Sequence, residues 1–127
     1  MDNSACAIVG IGCRYPGGIN SPDIFWESLV NARDCITPIP GNRWSLNKFY
    51  SGNKQHKNLL YMHKGGFLDD IDKFDPQFFG ISPREAEYMD PQQRLLLEVT
   101  WHAFEDAGII PSHLSGKEVG VFIGIMM

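Results

Sequence analysis

The chain has 127 residues, of which 43% are apolar and 20% charged, and its formal net charge is −4. This is one domain or part of one, with enough chain to bury about two thirds of its unfolded surface. The acidic balance argues against nucleic acid as the main partner, because phosphate binding wants a basic surface.

Three cysteines, Cys6, Cys13 and Cys35, make an odd number with no CxxC pair. That pattern speaks against a secreted disulfide scaffold and for the reducing cytoplasm. No apolar run approaches the roughly 18 residues of a membrane span. The opening MDNSACAIVG has no basic n-region, and its apolar run starts too close to Met1 to leave room for a targeting segment.

Ala5 to Cys13 (ACAIVGIGC) is a short apolar run with β-branched residues and small spacers. Its length and lack of alternation predict a strand buried on both faces. Tyr15-Pro16-Gly17-Gly18 breaks the chain. Ser21-Pro22 then reads as a helix cap followed by proline at the first helical position. Phe25, Trp26, Leu29 and Val30 supply one apolar face to about Ala32.

From Asp34 to Lys64 the prolines Pro38 and Pro40, the glycines Gly41 and Gly52, and several asparagines predict a long irregular stretch. Trp44, Phe49 and Tyr50 are expected to pin it to the body. Phe67 to Phe79 sets Asp69, Asp70, Asp72 and Asp75 between apolar residues and reads as a surface segment leading into helices.

Two helix starts follow in tandem. Ser82-Pro83-Arg84-Glu85 is a capping box with proline at the first helical position. Asp90-Pro91-Gln92-Gln93 repeats the design, and Pro91 ends the preceding helix near Met89. The second helix should run to about Ala107, with Gly108 as its stop. On its wheel Arg94, Glu98, His102, Glu105 and Asp106 share an arc of about 120°. Most of the remaining girth is apolar or small, so this helix should be covered on several sides, and the chain offers few elements to cover it.

Val119 to Met127 (VGVFIGIMM) is a second strand-like run with nothing polar after it. A domain rarely ends inside a buried strand, because such an edge is an aggregation hazard. The order β, α, long loop, α, α, β predicts an α/β class with both strands in one sheet.

The chemistry-bearing residues read mostly as structural. Cys6, Cys13 and Cys35 lack a glycine-flanked elbow and read as small packing residues. His56 and His63 stand seven apart without further ligands at metal spacing. His102 falls on the polar arc of a helix, and His113 follows Pro111 in a turn. The aspartates at 69–75 lack the glycine and closing glutamate of a calcium loop. Glu98 and Glu105 share a helix face but no pocket. Val9-Gly10-Ile11-Gly12 resembles the start of a dinucleotide fingerprint, but Tyr15 stands where the third glycine belongs. Pro16 then blocks the helix that would hold the pyrophosphate. The bland alternative is that these glycines let a helix pack closely on the strand.

Four stretches carry a family resemblance: AIVGIGCRYPGG at 7–18, SPDIFWESLVNARDCITPIPGNRW at 21–44, GGFLDDIDKFDPQFFGISPREAEYMDPQQRLLLEVTWHAFEDAG at 65–108, and GVFIG at 120–124. In order and spacing they resemble the N-terminal part of a β-ketoacyl synthase domain of the type I modular polyketide synthase family. FFGISPREA followed by MDPQQRLLLE is closer to polyketide synthases than to discrete fatty-acid condensing enzymes.

The resemblance implies a thiolase-like α/β fold, a homodimer, and substrates carried on the phosphopantetheine of an acyl carrier protein. It also implies decarboxylative condensation at a cysteine, aided by two histidines. By that correspondence all three residues lie downstream of 119–124. No catalytic, cofactor-binding or metal-ligating residue is therefore assigned within 1–127, and the chain alone is expected to be inactive. The alternative expectation is a non-catalytic module that binds a ketosynthase or carrier protein. DPQQR at 90–94 is a signature rather than a catalytic element.

Overall fold

The computed structural model describes residues 5–51 and 62–125. Residues 5–13 with 70–125 form one unit and 14–51 with 62–69 another. His56, Gly52 and the last two residues of the apolar run at 119–127 lie outside the described residues.

The unit that begins at Arg14 is organised by α1 (Pro22–Val30), β1 (Thr37–Pro38), α2 (Leu46–Phe49) and β2 (Lys64–Gly65). Helix α1 starts as the sequence demands: Ser21 Oγ accepts the Ile24 N–H at 3.3 Å and Pro22 opens the first turn. It closes earlier than Ala32. Ala32 takes φ 47°, its N–H donates to Leu29 O at 3.1 Å, and Arg33 N–H donates to Ser28 O at 2.9 Å. These paired bonds form a Schellman stop with alanine where glycine is usual.

The side of α1 that packs is not the aromatic one. Ser28 is buried and its Oγ donates to Ile24 O at 2.8 Å. Trp26, Leu29 and Val30 are exposed at 68%, 56% and 64%. Only Phe25 finds a ring, Tyr15, with centroids 5.0 Å apart. The expected apolar face therefore exists in the sequence, but among the described residues Trp26, Leu29 and Val30 stay uncovered.

The stretch after Asp34 holds more order than its prolines and glycines suggest. Thr37 pairs with Gly65 and Pro38 with Lys64 in an antiparallel ladder. Pro38 is tolerated there because a two-strand ladder is all edge. Ile39, buried beside it, donates its N–H to His63 O at 3.0 Å. The stretch is tied down mainly by polar bonds. From within it Arg43 Nη2 donates to Leu68 O at 2.6 Å; outside it, Arg14 Nη2 donates to Asp69 O at 3.0 Å. Of the three aromatics expected to anchor it, Tyr50 meets the His63 ring edge-on at 5.0 Å. Trp44 and Phe49 are exposed.

The other unit holds α3 (Pro83–Tyr88), α4 (Pro91–Asp106) and a 3-10 turn at Pro111–Leu114. Both tandem starts form. Ser82 Oγ accepts from Glu85 N at 3.2 Å, and Asp90 Oδ1 accepts from Gln92 N at 2.8 Å. Met89 caps the end of α3. Gly108, at φ 62°, stops α4: its N–H donates to Glu105 O at 3.0 Å and Ile109 N–H to Phe104 O at 2.9 Å.

The two predicted strands are the main correction. Residues 5–13 and 119–125 lie outside any helix or ladder, and among the described residues the only sheet is β1–β2. Ile8 is 85% exposed and Phe122 96%. A strand is a pairing rather than a local conformation, and neither segment has a described neighbour to pair with. Helix α4 shows the same shortage, since none of its residues is buried. Among the described residues the buried hydrophobics are Cys13 and Ala86 in one unit and Ile19 and Ile39 in the other, so the core of each unit is small. The α/β class stands.

Candidate functional site

The best-built feature is the seam between α4 and residues 5–13. A Cβ on Gly10 would run into Ala103 O and stand 2.7 Å from Ala107 Cβ, and one on Gly12 would run into Val99 O. Two residues of the segment thus advance about as far as one helical turn, roughly 6 Å, which makes this stretch extended. Asp106 locks the alignment: its Oδ2 accepts the Ile11 N–H at 2.8 Å. The sequence places Asp106 on the polar arc of α4, but its bond to Ile11 has no local signature. The glycines serve the close approach of helix and segment.

Around the same helix, Phe78 meets Trp101 edge-to-face with centroids 4.7 Å apart, and Phe79 stacks on Phe74 at 5.2 Å. Trp101 Nε1 donates to Glu105 Oε1 at 2.8 Å. An open concavity of about 340 Å³ lies beside this pair, walled by Phe104, Ile109, Ile110 and Pro111. Its wall is apolar, and its one carboxylate, Glu105, already accepts the indole proton. It offers no acid, base or nucleophile to a bound molecule.

The other candidates are scattered. Cys13 is buried, Cys6 exposed and Cys35 half-buried, with Cys35 Sγ 3.9 Å from Arg33 O. His63 is engaged with Tyr50, while His102 and His113 are exposed. The acidic run builds turns. Asp75 Oδ1 accepts from Phe78 N at 3.0 Å, and Asp70, at φ 54°, pairs with Lys73 Nζ at 2.9 Å. The Asp70 hydrogen bond and charge raise the Lys73 amine above its ordinary value. Among the described residues no three His, Cys, Asp or Glu side chains gather into a cation site. Arg94, last residue of DPQQR, keeps its Nε buried with no hydrogen-bond partner among the described residues. Among them, too, no helix is long and apolar enough to cross a membrane.

The helix starts and stops, the glycine-lined seam and the uncovered apolar runs describe an N-terminal α/β portion of a thiolase-like fold. Comparison with known proteins makes this specific. Residues 3–127 match the family described as "Beta-ketoacyl synthase, N-terminal domain". Polyketide synthase GfsE of Streptomyces halstedii is 49% identical over 124 residues, which is 97% of this chain and 3% of that protein. Erythronolide synthase EryA2 of Saccharopolyspora erythraea is 49% identical over 125 residues, 98% of this chain and 4% of that protein.

Among solved structures, the ketosynthase from module 6 of the bacillaene synthase of Bacillus subtilis 168 matches with TM-score 0.82 and 45% identity. The match covers 95% of this chain and 20% of that one. The oxazolomycin ketosynthase domain OzmH KS7 of Streptomyces albus JA3453 matches with TM-score 0.80 and 40% identity, covering 86% and 19%. The chain belongs to the β-ketoacyl synthase family. It spans about a fifth of the solved ketosynthases and a few per cent of the curated synthases it matches.

Proposed function

We propose that this chain is the N-terminal portion of a ketosynthase domain, cut short of the active-site cysteine, and that it supplies scaffold rather than chemistry. The complete domain would form carbon–carbon bonds by decarboxylative condensation of acyl thioesters held on the phosphopantetheine of an acyl carrier protein. It would work as a homodimer in the cytoplasm. The cysteine nucleophile and both histidines would be contributed by sequence beyond 119–124. The observation that carries this reading is the family match over 3–127.

A single-chain chimaera tests it: these 127 residues replace the matching portion of the bacillaene module 6 ketosynthase. Condensation of carrier-bound acyl and malonyl units by the chimaera, with none by the 127-residue chain, is the expected result. A folded, dimeric chimaera that takes up acyl groups on its cysteine but never condenses them would overturn the reading.

A further inference from the structure

The stretch 14–69 interrupts the other unit: residues 5–13 precede it, residues 70–125 follow it, and it packs as a compact unit of its own. Its first residue bonds to its last. Arg14 Nη2 donates to Asp69 O at 3.0 Å, and Arg43 Nη2 donates to the carbonyl before it, Leu68 O, at 2.6 Å. The entering and leaving segments also meet. Tyr15 N–H donates to Ile19 O at 2.8 Å and closes the entering turn, while a Cβ on Gly66 would stand 2.8 Å from Pro16 Cγ. The unit holds its own buried side chains, Ile19, Ser28 and Ile39, and its own ring pairs, Tyr15–Phe25 and Tyr50–His63.

We infer that 14–69 is a latched insert: it opens and recloses as one cooperative piece while the α3–α4 unit stays folded, and Arg14 is its latch. A stretch whose two ends lie side by side can melt without moving the chain that flanks it, since the melted loop spans a short gap at modest entropic cost. Opening of this kind is resisted only by the contacts inside the piece. Here those are a core of a few side chains, a ladder of two residue pairs and the two guanidinium bonds. A hydrogen bond from a charged donor outweighs a neutral one, so the bond that joins the ends carries a large share of the resistance. The inference concerns how the fold opens and does not depend on the function proposed above.

The test is native-state amide exchange on the full 127-residue chain, followed by NMR at rising sub-denaturing urea. Tyr15, Arg33 and Ile39 report on the insert through their backbone bonds, and Ile81, Ala107 and Ile109 report on the other unit. We expect the three insert amides to converge on one urea dependence, and to exchange faster than the other three. Arg14→Ala should speed all three insert amides by about tenfold and leave the other three unchanged. Ile39→Val, a milder change inside the core, should speed the same three by about fivefold. Asp106→Ala should speed the Ile11 amide and leave the insert amides as they were.

Equal acceleration of both groups by Arg14→Ala or Ile39→Val overturns the inference, because the chain then opens as one body. Arg14→Ala that accelerates neither group removes the latch and overturns it too. So does Ile39→Val that accelerates only its own amide, since the insert would then open residue by residue. Insert amides that exchange at the free-peptide rate in the unaltered chain overturn it as well.

Discussion

Asp106 and Ile11 lie 95 positions apart, and the Asp106 carboxylate accepts the Ile11 N–H at 2.8 Å. The bond pins the N-terminal segment to the last turn of α4, where Gly10 and Gly12 let the two backbones close. Asp106→Ala should remove about 1 kcal/mol, the net worth of one solvent-accessible hydrogen bond. The Ile11 amide should exchange correspondingly faster. Asp106→Asn keeps an acceptor and should restore most of the protection.

Gly12→Ala should cost more than the loss of that bond. The new methyl would meet Val99 O, a helix backbone atom that cannot swing aside. A penalty of about 3 kcal/mol is expected for such overpacking, read as a fall in denaturant midpoint. Gly124→Ala is the matched control, because nothing lies within 4 Å of its added carbon.

The seam also marks where sequence reasoning reached and where it stopped. Helix ends are written locally. Ser82, Asp90, Pro83, Pro91 and Gly108 act on neighbours within four residues, and each does what its chemistry dictates. The glycines at 10 and 12 read correctly as a place for close packing. The strands did not form, because pairing needs a second segment, and apolar character alone cannot say whether one is present. The aromatic face of α1 failed for the same reason. The short β1–β2 ladder escaped notice because its two strands are two residues each and one contains proline. The sequence assigns no catalytic, cofactor-binding or metal-ligating residue within 1–127.

At the end of α1, Ala32 occupies a left-handed position with φ 47°. Replacing it with glycine removes the Cβ clash at the price of a more flexible unfolded chain. Ala32→Gly should stabilise the unit by about 0.5–1 kcal/mol, seen as a higher melting temperature. Ala32→Val should lower it.

Lys73 offers a pH signature. Its amine is raised by the hydrogen bond it donates to Asp70 and by that residue's charge. A raised folded value means the pair contributes fully below the ordinary lysine range and loses that contribution as pH climbs through the folded value. The side chain is solvent-exposed, so the effect belongs in a titration rather than a melting curve. By NMR Lys73 should titrate above the ordinary lysine value, and Asp70→Asn should bring it back toward that value.

The central claim is that this chain frames a condensing site without holding its nucleophile. The most direct measurement is intact-mass spectrometry, with peptide mapping, of the 127-residue chain and the single-chain chimaera after exposure to an acyl thioester donor. The account predicts no acylation of Cys6, Cys13 or Cys35 in either protein, and one acyl group on a cysteine beyond the matched portion of the chimaera. Stoichiometric, turnover-competent acylation of any of those three cysteines would contradict it.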